Sequence, residues 1–286
     1  MLILMNLMED LNFLVTNQLS NRGYQPRAQD NPYDRFCMYH EHCTRHIAPI
    51  PRQVEISHEL ELHERYNSHK PVITEIINRF EGGKDLTPYL SKGVVKFNSY
   101  DQLLLYWGIH HLHLSPLATI ENGFVKRSDD LLFVRIEKEA AFLIDILPHD
   151  DPNLFVQKRA LEIVDNNWPN LHREVFGAIG ESLNLDQIKG LRKNNANIIE
   201  HVNNRSIMPT MGVTAAGNSI DATYTFDRYQ IELSHLESEV RHHFFKFFPS
   251  KIPPWMTHVR LYDVWEKGFD ICELVTGQKC HVQLNH

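Results

Sequence analysis

The spacing of apolar residues predicts a helical N-terminal region. From Leu2 to Arg22 they recur every three or four positions, as on one face of an amphipathic helix, and Gly23 is expected to end that helix. Prolines and polar residues then dominate residues 24–53. This composition predicts a loop-rich linker around one short ordered piece.

Two more helices are predicted after this linker. Ser57 is a suitable N-cap for a helix over residues 58–66. Pro71 suits the first turn of a second helix, which runs to Phe80. A glycine pair closely follows Phe80, and glycine commonly ends helices because it adopts left-handed backbone angles without strain.

The middle of the chain predicts a helix, three strands and another helix. Ser99 is expected to cap the first helix, which ends at Trp107-Gly108, and Trp168-Pro169 stops the last one. The link between the second and third strands has three residues, which is hairpin length. The three strands are predicted at residues 109–114, 131–137 and 141–147, and the last helix at residues 157–167.

The C-terminal third has a different character. Asn-rich and Gly-containing segments beyond Gly180 indicate a domain boundary or a long functional loop. A helix is predicted over residues 226–248, and glycine-punctuated strands after it predict a β-meander. Together the patterns predict an α+β protein. Its expected parts are a helical N-terminal region and linker (1–68), a catalytic domain with a small antiparallel sheet flanked by helices (69–178) and a C-terminal α+β domain of mixed helix and meander (179–286).

Length and composition exclude several classes of protein. The chain has 286 residues and a mass of 33.5 kDa, with 42% hydrophobic and 23% charged residues. These values are typical of a folded globular protein with a large core, and not of a disordered, collagen-like or disulfide-scaffold chain. The formal net charge is −7. Binding of nucleic acid would therefore require a local basic patch.

Cysteine usage and the N-terminal segment predict a cytoplasmic protein. Four cysteines are too few for a disulfide framework in a chain of this length. No signal peptide precedes them, which favours a reducing compartment. The apolar run Met1–Met8 meets Glu9 and Asp10, so it is too short to span a membrane.

Histidine is unusually frequent in this sequence. The chain contains 18 histidines, about three times the number in an average globular chain of this length. Alternation in the first predicted strand places Leu112 and Leu114 on one face and His111 and His113 on the other. The leucine face is expected to pack on the core, which leaves the histidine face for solvent.

The three strands are expected to share this open face. The matching apolar set of the hairpin is Leu132, Val134 and Ile136 with Phe142, Ile144 and Ile146. Arg135 and Asp145 then point to the same side as His111 and His113, and His149 lies just beyond the third strand.

Imidazole beside guanidinium is suited to phosphodiester cleavage without a metal or other cofactor. One neutral histidine takes the proton of an RNA 2′-hydroxyl, a second protonates the leaving 5′-oxygen, and arginine stabilises charge on the phosphoryl oxygens. The catalytic candidates are His111 and His113 as base and acid, Arg135 as phosphate clamp and His149 in support. The substrate-binding candidates are Lys126, Arg127 and Asp145. The alternative is that these histidines only form a solvated strand face.

A second cluster offers a zinc hypothesis. Cys37, His40, Cys43 and His46 recur at every third position, and these residue types are preferred zinc ligands. Four ligands within ten helical residues would strain a tetrahedron, because positions three apart rotate around the helix surface. No P-loop, G-x-S-x-G, H-E-x-x-H or C-x-x-C motif is present, so the usual support for a nucleophilic hydrolase, a zinc protease or a dithiol redox protein is absent.

Several sequence blocks resemble a pattern in uncharacterised bacterial proteins. The blocks are GGKDLTPYLSKG, YWGIHHLHLS, RSDDLLFVRI, AFLIDILPH and LEIVDNNWP. The order of elements over about residues 70–175 also resembles the RelE/HigB-type toxins, which cut messenger RNA with Arg, Lys, His or Tyr on the open face of a small sheet. This resemblance implies an RNA substrate, a toxin or phage-defence setting and an antitoxin or regulatory protein as partner.

The charge of the same region departs from the toxin pattern. Residues 70–174 contain 12 Lys and Arg against 15 Asp and Glu, whereas toxins that act on ribosomes are typically basic. This balance argues against a ribosome target and leaves free RNA open as a substrate.

Three functions remain open from the sequence. The leading hypothesis is a metal-independent ribonuclease. The second is a non-catalytic interaction protein that oligomerises through the N-terminal helix, motivated by the apolar stripe Leu4, Leu7, Leu11 and Leu14. The third is a zinc-dependent nuclease or nucleic-acid binder that uses the cluster beginning at Cys37.

Overall fold

Helices and strands are distributed along the whole chain. The computed structural model describes residues 1–25, 27, 29–97, 99, 101–154, 156, 158–178, 183–249, 255–265 and 268–283. The α-helices are α1 (Leu7–Asn21), α2 (Pro32–Arg45), α3 (His58–Glu61), α4 (Tyr66–Glu81), α5 (Gln102–Trp107), α6 (Arg159–Asn167), α7 (Leu185–Lys193) and α8 (Ile220–Phe247). The strands are β1 (Leu2–Leu4), β2 (Gln53–Ile56), β3 (Ile109–His113), β4 (Asp130–Ile136), β5 (Ala140–Pro148), β6 (Arg173–Glu174), β7 (Glu200–Val202), β8 (Arg205–Met208), β9 (Met256–Trp265), β10 (Gly268–Glu273) and β11 (Lys279–Gln283). The α+β class is confirmed.

The chain divides into two compact units. One consists of Met1–His40 together with Ala222–His286, and the other of Glu41–Asp221. These boundaries differ from the three parts expected at 1–68, 69–178 and 179–286, because the two chain ends belong to one unit. Strand pairing explains this association: β1, near the start of the chain, pairs in parallel with β9, near its end.

The terminal unit contains a four-stranded sheet in the order β1-β9-β10-β11. The predicted C-terminal meander is confirmed, since β9, β10 and β11 pair antiparallel. The prediction of one helix from residue 2 to 22 is wrong at its start, because Leu2–Leu4 is a strand and α1 begins only at Leu7. Asn6 marks this start, since its side chain accepts a hydrogen bond from the Glu9 backbone N–H at 3.1 Å.

The apolar stripe of α1 packs against other residues of the same chain. Leu7 and Leu11 are buried, and α1 packs against β9 of the same unit. The stripe that motivated oligomerisation therefore belongs largely to an intramolecular core, and only Leu4 of the four is exposed.

The predicted linker over residues 24–53 contains a substantial helix, α2, and the start of β2. Two sequence signals precede it: Pro32 lies at its first position, and the Asn31 side chain accepts a hydrogen bond from the Asp34 backbone N–H at 2.8 Å. Proline at the first helical position after an Asn cap is a helix start. The interpretation of Pro32 as a loop residue is therefore wrong, and the ordered piece expected in this segment is longer than predicted.

The central unit is organised around a second four-stranded sheet, in the order β2-β5-β4-β3. The three predicted strands are confirmed as β3, β4 and β5, which pair antiparallel. A fourth strand, β2, is absent from the prediction and adds in parallel to β5. Because β3 lies at the end of this order, it is an edge strand, and its outer side is free of further strands in the described residues.

The expectation of an open sheet face is wrong, because both faces of this sheet are covered. On one face, Leu112, Leu132 and Val134 belong to a core with apolar residues of α4. On the other face, Ile109 and Phe133 belong to a second core with apolar residues of α5 and α6. A sheet covered on two sides leaves room for a site only at its edge or its ends.

A β-bulge explains part of the error. The register between β4 and β5 shifts after Phe133, so that Phe133 lies opposite Asp145 whereas Val134 lies opposite Leu143. The extra residue, Ile144, therefore packs in the core of the α5–α6 side, although strict alternation places it with Val134.

A small three-stranded sheet, in the order β6-β8-β7, crosses the predicted boundary after residue 178, because β6 precedes that boundary whereas β7 and β8 follow it. Helix α7 also lies beyond the boundary. Val202 and Ile207 of this sheet pack in the α5–α6 core. No helix in the described part of the chain is long and apolar enough to cross a lipid bilayer.

Candidate active site

A cleft of about 440 Å³ lies beside the edge strand β3 in the central unit. It combines an apolar wall with a concentration of ionisable side chains. The lining residues are Arg45, Leu90, Ser91, Gly93, Val94, Ser99, Asp101, Gln102, Leu104, His110, His111, Arg127 and His149. A pocket of this size with a few convergent polar groups is typical of a small-molecule or single-residue binding site.

The sequence places two adjacent histidines in the cleft because β3 is an edge strand. The left-handed residue Gly108 (φ 66°) ends α5 and turns the chain directly into β3. His110 and His111 then point to opposite faces of the strand. Both residues nevertheless line the cleft.

His111 is paired with a carboxylate. Its Nδ1 lies 3.4 Å from Oδ2 of Asp101, which is an ion-pair distance without the geometry of a hydrogen bond, and about one-seventh of its side chain is exposed (14%). Asp101 is held in place because its other oxygen accepts a hydrogen bond from the Leu104 backbone N–H, as the N-cap of α5. A carboxylate at Nδ1 favours the tautomer that leaves Nε2 as an acceptor, which is the state a general base needs.

His149 is paired with a guanidinium group. Arg127 donates from Nε to His149 Nε2 at 3.0 Å and from Nη2 to the same atom at 2.5 Å. Burial lowers the pKa of His149 below its ordinary value, and the positive charge of Arg127 lowers it further. The ring is therefore a neutral hydrogen-bond acceptor at pH 7.

Arg45 supplies a second cation from α2. Its two terminal nitrogens donate to the backbone oxygens of Ser99 and Lys96, both at 3.0 Å. Its Nε has no hydrogen-bond partner among the described residues. Burial lowers the pKa of Arg45, and the nearby carboxylates of Glu41 and Asp101 oppose this effect. Arginine still keeps its charge at neutral pH.

His110 is the most deeply buried of the cleft histidines. Burial lowers its pKa to about 3, and the neighbouring groups His111, Arg52 and His46 add to this effect. A ring that stays neutral at all pH values above this range cannot supply a proton at neutral pH. We therefore assign His110 to the wall of the cleft.

The remaining lining is suited to a planar, partly apolar ligand. Leu90, Val94 and Leu104 form apolar surface, and the hydroxyls of Ser91 and Ser99 border it. The 3-10 turn Lys92–Val95 shapes this wall, because the Ser91 hydroxyl accepts a hydrogen bond from the Gly93 backbone N–H. The cleft therefore combines cationic and apolar lining groups.

His113, predicted as acid or base, is buried beside the cleft and is not one of its lining residues. Its Nδ1 accepts a hydrogen bond from the Ser128 backbone N–H at 3.4 Å. Burial lowers its pKa to about 4, with further contributions from His111, His149 and Arg127. Its ring is nearly parallel to that of His149, and the two ring centroids lie 5.9 Å apart.

Arg135 and Asp145 are not placed as the open-face prediction requires. Arg135 is buried and donates to Glu137 Oε1 and to the Thr210 hydroxyl. Asp145 is fully buried and accepts a hydrogen bond from Arg159 at 2.6 Å. Neither lines the cleft. They are buried because α5, α6 and the segment after α6 cover the sheet face on which they lie.

Lys126 is exposed, and it is not a lining residue of the cleft. Of the three predicted substrate-binding residues, the structure therefore brings only Arg127 to the cleft. Of the four predicted catalytic residues, it brings His111 and His149 together there.

The predicted zinc alternative is not matched by a ligand cluster. Among the described residues, no group of three or more His, Cys, Asp or Glu side chains is arranged to hold a metal ion. Cys37 is buried whereas Cys43 is exposed, as expected for positions that rotate around the surface of one helix. His46 Nδ1 instead contacts the backbone oxygen of His42 at 2.8 Å.

Sequence reasoning missed Arg45, Asp101 and His110. Asp101 was detectable, since Asp three residues before Leu104 is a helix N-cap at the start of α5, directly before the histidine strand. Arg45 carried no such signal, because it lies in the segment interpreted as a linker and reaches the cleft only through tertiary packing of α2.

No protein-family model, curated protein or solved structure matches this chain.

Proposed function

We propose that the cleft cleaves single-stranded RNA by histidine acid–base chemistry that needs no metal ion. The observation that carries this proposal is the presence, in one cleft, of an Asp-oriented histidine (Asp101–His111), a second neutral histidine (His149) and the guanidinium group of Arg127. Each of these groups has a role in phosphodiester transesterification.

In the proposed reaction, His111 is the general base. Its Nε2 takes the proton of the ribose 2′-hydroxyl while the 2′-oxygen forms a bond to phosphorus. The bond from phosphorus to the 5′-oxygen breaks, and His149, once protonated, gives its proton to that oxygen. Arg127 and Arg45 stabilise the negative charge on the non-bridging oxygens. The products are a 2′,3′-cyclic phosphate and a free 5′-hydroxyl.

The dimensions and lining of the cleft favour a single strand over a duplex. A volume of about 440 Å³ accommodates one nucleotide linkage with an unstacked base. The apolar surface of Leu90, Val94 and Leu104 is suited to the face of that base. Bases of a double helix are stacked inside the duplex and do not reach such a surface.

The test is cleavage of a single-stranded RNA oligonucleotide by the purified full-length protein in EDTA. We expect fragments that end in 2′,3′-cyclic phosphate. The variant His111→Asn should reduce the rate by about 100-fold or more, as expected for loss of a general base. An oligonucleotide with a 2′-deoxyribose at the cleaved position should stay intact there, because the nucleophile is missing.

His235→Asn is the matched control, since His235 is exposed on α8 and is not a lining residue of the cleft. It should cleave at the wild-type rate. Intact RNA after incubation with folded wild-type protein, or equal cleavage by wild type and His111→Asn, would overturn the proposal.

A further inference from the structure

The Arg127–His149 pair is an unusual interaction for a cation in a candidate phosphate site. Arg127 is exposed, and its Nε and Nη2 both donate to one imidazole nitrogen, His149 Nε2. A neutral imidazole nitrogen offers a single lone pair, so two donors share one acceptor. The hydrogen-bonding capacity of the guanidinium edge is therefore only partly used.

A phosphate group is a better partner for the same edge. Its oxygens accept the two parallel N–H groups separately, and each of these hydrogen bonds is strengthened by the opposite charges. The edge lies at the cleft, because Arg127 and His149 both line it. An anion that enters the cleft thus meets donors that are held in place by a weaker, neutral acceptor.

We propose that Arg127 is an oxyanion site at which a phosphate group replaces the His149 ring as the acceptor. His149 holds the guanidinium edge ready in the free protein and is released when the phosphate binds. The released Nε2 then faces the bound phosphate and is free to carry a proton. This inference deepens the proposed function, on which it rests only for the identity of the phosphate as an RNA linkage.

The charges around His149 determine how its proton affinity changes when a phosphate group binds to Arg127. Burial, Arg127 and His111 disfavour protonation of His149, whereas Asp150 favours it, and the uncharged face of the His113 ring lies nearly parallel to the His149 ring. The His149 backbone N–H donates to the Asp129 oxygen. Binding of a phosphate neutralises Arg127 and adds negative charge beside the ring. Both changes favour the protonated form, which is the form required to protonate a leaving oxygen.

The experiment is an NMR titration of the His149 ring in the full-length protein, with inorganic phosphate as the probe and chloride at equal ionic strength as the reference. The signal is assigned by its absence from His149→Asn. In wild type, saturating phosphate should raise the pKa of His149 by about one unit, a tenfold gain in proton affinity. In Arg127→Gln without phosphate, this pKa should already be higher than in wild type, and phosphate should change it little.

Lys126→Gln is the matched control, because it removes the adjacent exposed cation, which does not line the cleft. It should respond to phosphate as wild type does. An unchanged His149 pKa in wild type, or an equal response in Arg127→Gln, would overturn the inference. The NMR titration contains no RNA, so the two proposals fail separately. A phosphate-dependent rise in the His149 pKa without RNA cleavage would contradict only the proposed ribonuclease activity. RNA cleavage without this rise would contradict only the proposal that phosphate replaces His149 as the acceptor of Arg127.

Discussion

Asp101 links local structure to the chemistry of the cleft at the scale of a single residue. One carboxylate oxygen caps α5 through the Leu104 backbone N–H, and the other lies 3.4 Å from His111 Nδ1. The same side chain therefore fixes a helix start and orients a ring. These two tasks are separable by substitution, because asparagine is as good an N-cap as aspartate but carries no charge.

Asp101→Asn should preserve stability and impair cleavage. We expect the free energy of unfolding to stay within about 0.5 kcal/mol of wild type and the rate of RNA cleavage to fall at least about tenfold, because the His111 tautomer is no longer held. Asp101→Ala should also lose about 1 kcal/mol of stability, the usual cost of a missing cap. Urea unfolding and initial cleavage rates provide the two readouts.

An unchanged cleavage rate in Asp101→Asn would contradict the role of Asp101 in orienting His111. Equal stability of Asp101→Asn and Asp101→Ala would contradict its role as the cap.

Of the seven candidate residues, three line the cleft and four (His113, Lys126, Arg135 and Asp145) do not. His111, His149 and Arg127 line one cleft. Arg135 and Asp145 have suitable chemistry but are buried in ion pairs under α6 and neighbouring segments. Residue type indicates what a side chain is able to do, but its burial depends on which element covers it.

At the scale of elements, local signals were reliable where they were strong. The hairpin β4–β5 and the strand β3 follow directly from alternation and from a three-residue link. The bulge after Phe133 was not detectable, since one extra residue leaves the apolar composition of β5 unchanged. A single inserted position reverses the faces of all residues on one side of it.

The turn after α4 provides an element-scale test of backbone strain. Gly83 has φ +60°, and a Cβ there would lie 2.8 Å from the Pro51 backbone nitrogen. Gly83→Ala should therefore lower the free energy of unfolding by about 2–4 kcal/mol, of which about 1 kcal/mol is the left-handed backbone penalty and the rest steric overlap. Chemical denaturation measures this difference.

Gly123→Ala is the comparison variant, because Gly123 also has a positive φ (+85°) but a Cβ at this position would have no described atom within 4 Å. It should cost only about 1 kcal/mol. An equal loss of stability in the two variants would show that the close approach of Pro51 to Gly83 contributes no steric penalty.

At the scale of the whole molecule, buried neutral histidines couple stability to pH. Burial lowers the pKa of His110 to about 3 and those of His113 and His172 to about 4. In the unfolded chain the same rings titrate near 6.5. Between these values the unfolded state binds more protons than the folded state. The contribution of each ring is therefore complete above about pH 6.5 and decreases as the pH falls toward 4.

Each such histidine should lower the free energy of unfolding by about 2 kcal/mol when the pH is lowered from 7 to 5. Buried Asp10 and half-buried Glu41, whose pKa values are raised by removal from solvent, act in the opposite direction. The clean measurement is therefore a comparison of wild type with His110→Leu by urea unfolding at pH 7, 6 and 5. From pH 7 to pH 5, the free energy of unfolding should fall by about 2 kcal/mol less in the variant than in wild type. An equal fall in both proteins would contradict a buried, neutral His110.

The sequence by itself determined the strands β3, β4 and β5, the α+β class and the identity of several reactive groups. These features depend on local sequence signals. The alternation of apolar residues, the helix caps and the turn residues all lie within a few positions of each other. Only the tertiary structure decided that β1 joins β9, that both faces of the central sheet are covered and that the site lies at the edge of β3. The reason is that burial and convergence arise from contacts between distant segments, such as Arg45 with Ser99, and a one-dimensional pattern does not contain those contacts.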